Sequence, residues 1–342
     1  AQGVSNAALK ADYIALADEI DQVYQAGPLQ ALLREHATVF AKLPGLQKLL
    51  QDAARQLEQD SSADNEYRVT ARLLADLRDA LPRIPQASVR LDVLDLGLRV
   101  ESANFQASAR LRNEVSGASR HQRVEWLKSA AQAAYGAGMI NQREETALQD
   151  RLAKVEGSST PLATWMDELR YLGRVPGWGT QDLRFHFYPS MQKLAEIEPD
   201  AMLFIQDQLR GSPLLFYSQL LDGVQRDANQ LAGVTHKLFG KQIGVGFRAL
   251  NPGLARGVLH VHPDLAQLDN FRTDGIYLLP ETVSDLPPVA GIMTAGEGNP
   301  LSHIQLLARN LGIPNVSVDE ELIARFESHD GKKVVLAVSQ AG

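Results

Sequence analysis

Hydrophobic periodicity changes once along this 342-residue chain, near residue 242, and that change limits the fold more than any other feature. Before it, apolar residues recur three and four apart, as in Leu91, Leu94 and Leu98 and again in Leu214, Tyr217, Leu221 and Val224. Such spacing gathers side chains on one helical face, and both stripes are read as packing between helices. Gly- and Pro-bearing breaks at 27–28, 44–45, 82–85, 157–161 and 176–179 cut the region into about ten helices, with Pro28 and Pro161 at first helical positions. After the change, short β-branched runs at 242–247, 257–261, 275–279, 289–294, 315–318 and 333–338 read as strands. Helical spacing persists there only at 301–311 and 320–326. Residues 1–240 carry 15 Gly and 9 Pro, and residues 241–342 carry 11 and 7, so turn signals nearly double in density at the same place. The expected architecture is multidomain: an all-α domain over residues 1–240, then a small α/β domain over residues 241–342.

Charge separates function classes rather than domains. The net charge of -7 comes without a basic stripe, which argues against a nucleic-acid footprint. No apolar run approaches the ~18 residues of a membrane span. The absence of Cys removes disulfides, thiol nucleophiles and thiolate metal sites. A cytoplasmic protein is expected, and the start at Ala1 without Met leaves a processed, trimmed or fragmentary chain open.

The stretch 289–318, VAGIMTAGEGNPLSHIQLLARNLGIPNVSV, carries the chemistry. A strand ends in Gly296-Glu297-Gly298 and feeds Asn299-Pro300 into a helix whose first turn holds Ser302 and His303. Asn299 can cap, Pro300 fits the first position, Gly312 fits the left-handed residue after the end, and Pro314 blocks continuation. Helix-start amides lack intrahelical partners and sit at the positive end of the dipole, while glycines let loop amides close on an anion. An imidazole placed there is biased toward the neutral, nucleophilic form. His303 is therefore the candidate covalent phosphoryl carrier. Ser302, Thr294, Gly296, Gly298 and Asn299 are the candidate phosphate ligands.

Together these residues resemble the phosphohistidine, or swivelling, domain of the phosphoenolpyruvate-utilising enzymes: phosphoenolpyruvate synthase, pyruvate phosphate dikinase and the glucan water dikinases. The resemblance rests on Glu297-Gly298, Ser302-His303, Ala308-Arg309 and Gly312-Ile313-Pro314, with Asn251-Pro252-Gly253-Leu254-Ala255-Arg256-Gly257 similar to the family's entry segment and Leu279-Pro280-Glu281 to Pro288 similar to its strand and loop before the active helix, and covers about residues 242–342. Glu297, Leu301, Ile304 and Gln305 depart from the usual pattern. The resemblance implies a relay in which an ATP-grasp domain phosphorylates His303, the domain swings, and the group passes to an acceptor, pyruvate first and a glucan, other sugar hydroxyl, phosphate or water as alternatives. It implies Mg²⁺ and ATP bound outside this chain, by a nucleotide domain beyond Gly342 or on a partner. A homodimer, and a non-catalytic binding module with a degenerate phosphohistidine domain, remain open.

Other signals are weaker. His260 and His262 alternate on a strand without a third ligand, so no metal site is expected. Gly244-Val245-Gly246-Phe247-Arg248-Ala249 satisfies a loose dinucleotide fingerprint, but Asn251-Pro252-Gly253 follows where a helix is required. Arg309 lies about 240° around the helix from His303 and reads as a structural ion-pair partner. Arg256 is open between a phosphate contact and a surface role.

Overall fold

The computed structural model describes residues 29–156, 159–243, 246–280, 286–295 and 303–339, together with residue 13. The chain is mostly helical with a mixed sheet at its C-terminal end. It divides into two compact units, residues 1–107 and 108–342, so the second unit contains helices as well as the sheet. No described helix is long and apolar enough to cross a membrane.

In the first unit, α1 (Leu29–Val39), α2 (Pro44–Gln59) and α3 (Ala63–Ala80) pack in succession. Ser62 starts α3 by accepting a hydrogen bond from the Asn65 amide at 3.2 Å. The long α4 (Ala87–Leu111) carries two apolar stripes, and the division between units falls within it. Val93, Leu96, Val100 and Ala107 are buried, whereas Leu91, Leu94 and Leu98 are 62%, 49% and 64% exposed. The expected core role of Leu91, Leu94 and Leu98 is therefore wrong. Leu94 and Leu96 are two residues apart, roughly 200° around the helix, so only one stripe can face the core. The buried face also holds Asn104, whose amide donates to the Tyr67 carbonyl (3.1 Å) and to Thr70 Oγ1 (2.9 Å) on α3.

The second unit opens with α5 (Arg120–Gly136), α6 (Gln142–Glu156), α7 (Leu162–Leu172), α8 (Val175–Leu194), α9 (Phe204–Arg210) and α10 (Leu214–Leu231). Asn141 and Glu144 form a reciprocal capping box before α6. The stripe Leu214, Tyr217, Leu221 and Val224 is buried as expected. The break expected at 176–179 comes earlier: Pro176 lies in the first turn of α8 and Gly179 inside it. A Cβ on Gly179 would lie 2.4 Å from Leu214 Cδ1, so glycine there permits close helix packing.

A hairpin, β1 (His236–Leu238) with β2 (Lys241–Ile243), leads into β3 (Phe247–Asn251), β4 (Gly253–Val261), β5 (Gly275–Pro280) and β6 (Gly291–Ala295). Then come α11 (His303–Asn310), β7 (Asn315–Val318), α12 (Glu320–Glu327) and β8 (Lys333–Val338). The large sheet has the order β3-β7-β6-β5-β4-β8; β4 to β7 run parallel and both edge strands antiparallel. The dinucleotide fingerprint thus runs into strand β3, with no helix behind it.

One residue, Pro252, joins β3 to β4, although the two strands are four steps apart in the sheet. A flat sheet would separate them by ~19 Å, far beyond one residue's reach. The sheet resolves this by bending β4. Its residues 253–258 pair with β8, its residues 258–261 pair with β5, and its first half folds over the sheet until Gly253 packs against Pro314. Leu259, Ile276, Leu278, Met293, Val316 and Val338 fill the space between the layers, with α12. Tyr277, Leu279, Ile292, Ile304 and Ala308 fill the opposite face under α11. Burial on both faces accounts for the continuous apolar runs of the central strands.

The two faces of α4 yield a direct check. Leu96→Ala should lower stability by ~2–5 kcal/mol through the cavity it leaves, and Leu94→Ala should stay within ~0.5 kcal/mol; urea denaturation of both variants measures the contrast.

Candidate functional site

The glycine loop 296–302 lies outside the described residues, and with it Gly296, Gly298, Asn299 and Ser302; the side chain of His303 lies outside them too. The flanking elements are described, and they fix both ends of the loop. β6 delivers the chain to the carboxyl edge of the parallel sheet at Ala295, which pairs with Val318 of β7. His303 is the first residue of α11. The helix ends as the sequence predicts, with Gly312 at φ +67° and the Ile313 amide bonded to the Ala308 carbonyl at 2.8 Å.

Three buried polar side chains hold the start of α11 to the sheet. Thr294 Oγ1 donates to Asn315 Oδ1 (3.3 Å), the Asn315 amide donates to Gln305 Oε1, and the Gln305 amide donates to Thr294 Oγ1 (3.0 Å). The ring closes on itself, each member giving one hydrogen bond and accepting one. All three side chains are buried, so an opened ring would leave polar groups without water. Thr294, expected to touch a phosphoryl group, ties β6 to α11 in this structure. Its hydroxyl hydrogen is already given to Asn315. Gln305, a departure from the family pattern in the sequence, closes the ring.

The entry segment also has structural duties. The Asn251 amide donates to the Ile313 carbonyl at 2.7 Å, fastening the end of α11. A Cβ on Gly253 would fall 2.7 Å from Pro314, and one on Gly257 would fall 2.3 Å from the Asp274 carbonyl oxygen. Arg256 pairs in register with Val335 before β5 begins. That places it about seven residues from the level of Ala295, or ~20 Å along the strand direction, so it is not brought to the loop. Arg309 makes no ion pair among the described residues, against expectation; desolvation alone lowers its pKa. His260 stacks on Tyr277, while His262 has left the strand with φ +56° and turns to Glu327 at 3.4 Å. The two imidazoles thus do not form the pair that strand alternation suggested.

A cleft of about 160 Å³ opens at the carboxyl edge of β7, between the sheet and helices α7 and α10. Arg248 of β3 and Asp222 of α10 form an ion pair across it, 18% and 13% exposed. His236 lines the cleft and accepts the Phe247 amide on Nδ1 at 3.3 Å, which leaves the proton of the neutral ring on Nε2. Burial pushes its pKa below the ordinary histidine value, and the nearby Asp319 carboxylate pulls the other way. Sequence reasoning singled out neither His236 nor Asp319, because no motif marks them and they are 83 residues apart in the chain.

Among the described residues, one cluster has the ligand types for a metal ion: His121, Glu125 and Glu156. The Lys128 ammonium already bonds to both of these carboxylates, so the cluster is a neutralised surface network.

No protein-family model, curated protein or solved structure matches this chain.

Opening the ring at α11 should be costly. Gln305→Leu strands the Asn315 amide and takes the donor from the Thr294 hydroxyl, and should cost ~3 kcal/mol in urea denaturation. Thr294→Val added to it should cost less than the two single effects combined, because both substitutions break the same Gln305–Thr294 bond. For His236 the lowered native pKa means that the unfolded state binds a proton first as pH falls. Stability is thus complete above ~pH 6.5 and declines as pH drops from there through the lower native value. His236→Gln should flatten that limb of a stability-against-pH profile.

Proposed function

We propose that this chain is a phosphoryl carrier, with His303 as the residue that is phosphorylated and discharged. The observation that supports it most is the strand–loop–helix unit itself. β6 ends at the carboxyl edge of a parallel sheet and α11 begins at His303, pinned by the Thr294–Gln305–Asn315 ring. Ligands of parallel α/β sheets bind at that edge, and a helix start offers free amides and a positive dipole end to a phosphoryl group. A rigid helix start is what an imidazole needs if it is to meet two partners in turn.

In this reading Ser302, Asn299 and the amides of Gly296 and Gly298 receive the phosphoryl oxygens. Thr294 acts one layer behind, by positioning α11. ATP and Mg²⁺ would be held by a nucleotide domain outside this chain, where the metal would supply charge neutralisation for phosphoryl transfer. The same nitrogen then yields the group to an acceptor, for which the sequence resemblance supplies pyruvate. Among the described residues, the ion pair Arg248–Asp222 spans the cleft between the helices and the sheet, a polar contact of the kind that a moving interface can form and leave.

The test is a labelling experiment on the full polypeptide together with its nucleotide domain. ATP labelled at the β-phosphate should leave an acid-labile, alkali-stable label on the protein, and His303→Ala should remove it. A label of unchanged yield in His303→Ala would overturn the assignment.

A further inference from the structure

The cleft at the carboxyl edge of β7 has a lining that the carrier role of His303 does not use. Three polar groups line it, each with unspent capacity. Arg226 lies on α10, where Asp222 is committed to Arg248 and Asp227 to Arg123 and Arg120, and no described acid pairs with it. Asp319 stands at the cap position before α12 with extended backbone, yet its carboxylate accepts no hydrogen bond from that helix. Its own amide bonds to the Gly246 carbonyl at 3.0 Å, which fixes the residue at the rim. His236 has Nδ1 occupied by the Phe247 amide, so Nε2–H is the free donor of its neutral ring.

These groups select among ligands. A guanidinium with no acid beside it calls for a carboxylate or another anion. A carboxylate acceptor and an imidazole donor together suit a hydroxyl, which gives one hydrogen bond and accepts another. Leu169 and Phe247 supply apolar wall. The cleft, about 160 Å³, has room for a small ligand.

We propose that this cleft binds a small hydroxy acid, its carboxylate on Arg226 and its hydroxyl between Asp319 and His236 Nε2. The binding stands apart from phosphoryl transfer, but its meaning rests on the carrier reading of His303. Asp319 directly follows Val318, the strand partner of Ala295, so the hydroxyl site and the glycine loop leave neighbouring strands at the same edge.

Calorimetric titration of the chain with glycerate tests the site, with glycerol and pyruvate as probes lacking the carboxylate and the hydroxyl respectively. Glycerate should bind saturably, and both controls at least tenfold more weakly. Arg226→Ala and Asp319→Asn, both at exposed positions, should each weaken glycerate at least tenfold with unchanged circular dichroism. His303→Ala should bind glycerate as the parent does. Absence of saturable binding, equal binding of either control, or unaltered affinity in Arg226→Ala overturns the proposal. Glycerate binding without a phosphohistidine label rejects the carrier reading alone, and a label without glycerate binding rejects this site alone.

Discussion

The ring of hydrogen bonds through Thr294, Gln305 and Asn315 is the interaction on which the α/β part of this protein depends. It joins the end of one strand, the first turn of a helix and the first residue of the next strand, and so ties together the two elements that bracket the glycine loop and the strand beside them. Apolar contacts alone, such as Ile304 and Ala308 on Tyr277 and Ile292, would hold α11 against the sheet but leave it free to slide or rotate. A directional ring fixes its register, because a shifted helix would abandon buried polar groups at ~1–3 kcal/mol each. The stability gained from such a ring is modest; what it supplies is a single position for the helix start.

The bent β4 strand sets the second constraint. Since Pro252 alone connects β3 to β4, the chain folds its own sheet into two layers, and Gly253 and Gly257 are the points of closest approach. A side chain at Gly257 would strike the Asp274 carbonyl oxygen, which accepts the Val258 amide at 3.0 Å. The entry segment is thus explained by backbone proximity. It does not need a phosphate, and Arg256 lies at the wrong end of the strand to reach one.

How much of this was legible in the sequence depends on how local each signal is. The end of α11 was readable because Gly312 and Pro314 act on their own backbone; the strands at 315–318 and 333–338 follow from β-branched runs. Helix starts such as Ser62 and Asn141 are equally local, though sequence reasoning did not single them out. The stripe on α4 was misread because spacing reveals that a face is apolar, without saying which of two such faces meets a partner. Here Val93, Leu96 and Val100 won over Leu91, Leu94 and Leu98. The polar ring was illegible for a different reason: its members lie 10 to 21 residues apart, and their pairing exists only once β6 and β7 are neighbours. The hairpin at His236 was missed because three-residue strands carry too little pattern to register.

Arg248 and Asp222 bear on how the sheet and helices of the second unit can work together. A carrier that visits two partners needs an interface that is specific when closed and inexpensive to leave. A wide apolar contact fails the second requirement, since opening it exposes surface at ~25 cal/mol per Å². A largely shielded ion pair at the edge of a cleft supplies the specificity without adding apolar area. Its charges regain hydration on separation, which offsets most of the Coulomb attraction lost, while its geometry still defines one docked arrangement. The pair's place on β3, whose first residue Phe247 faces Val318 at the carboxyl edge, puts that docking contact at the edge from which the glycine loop departs.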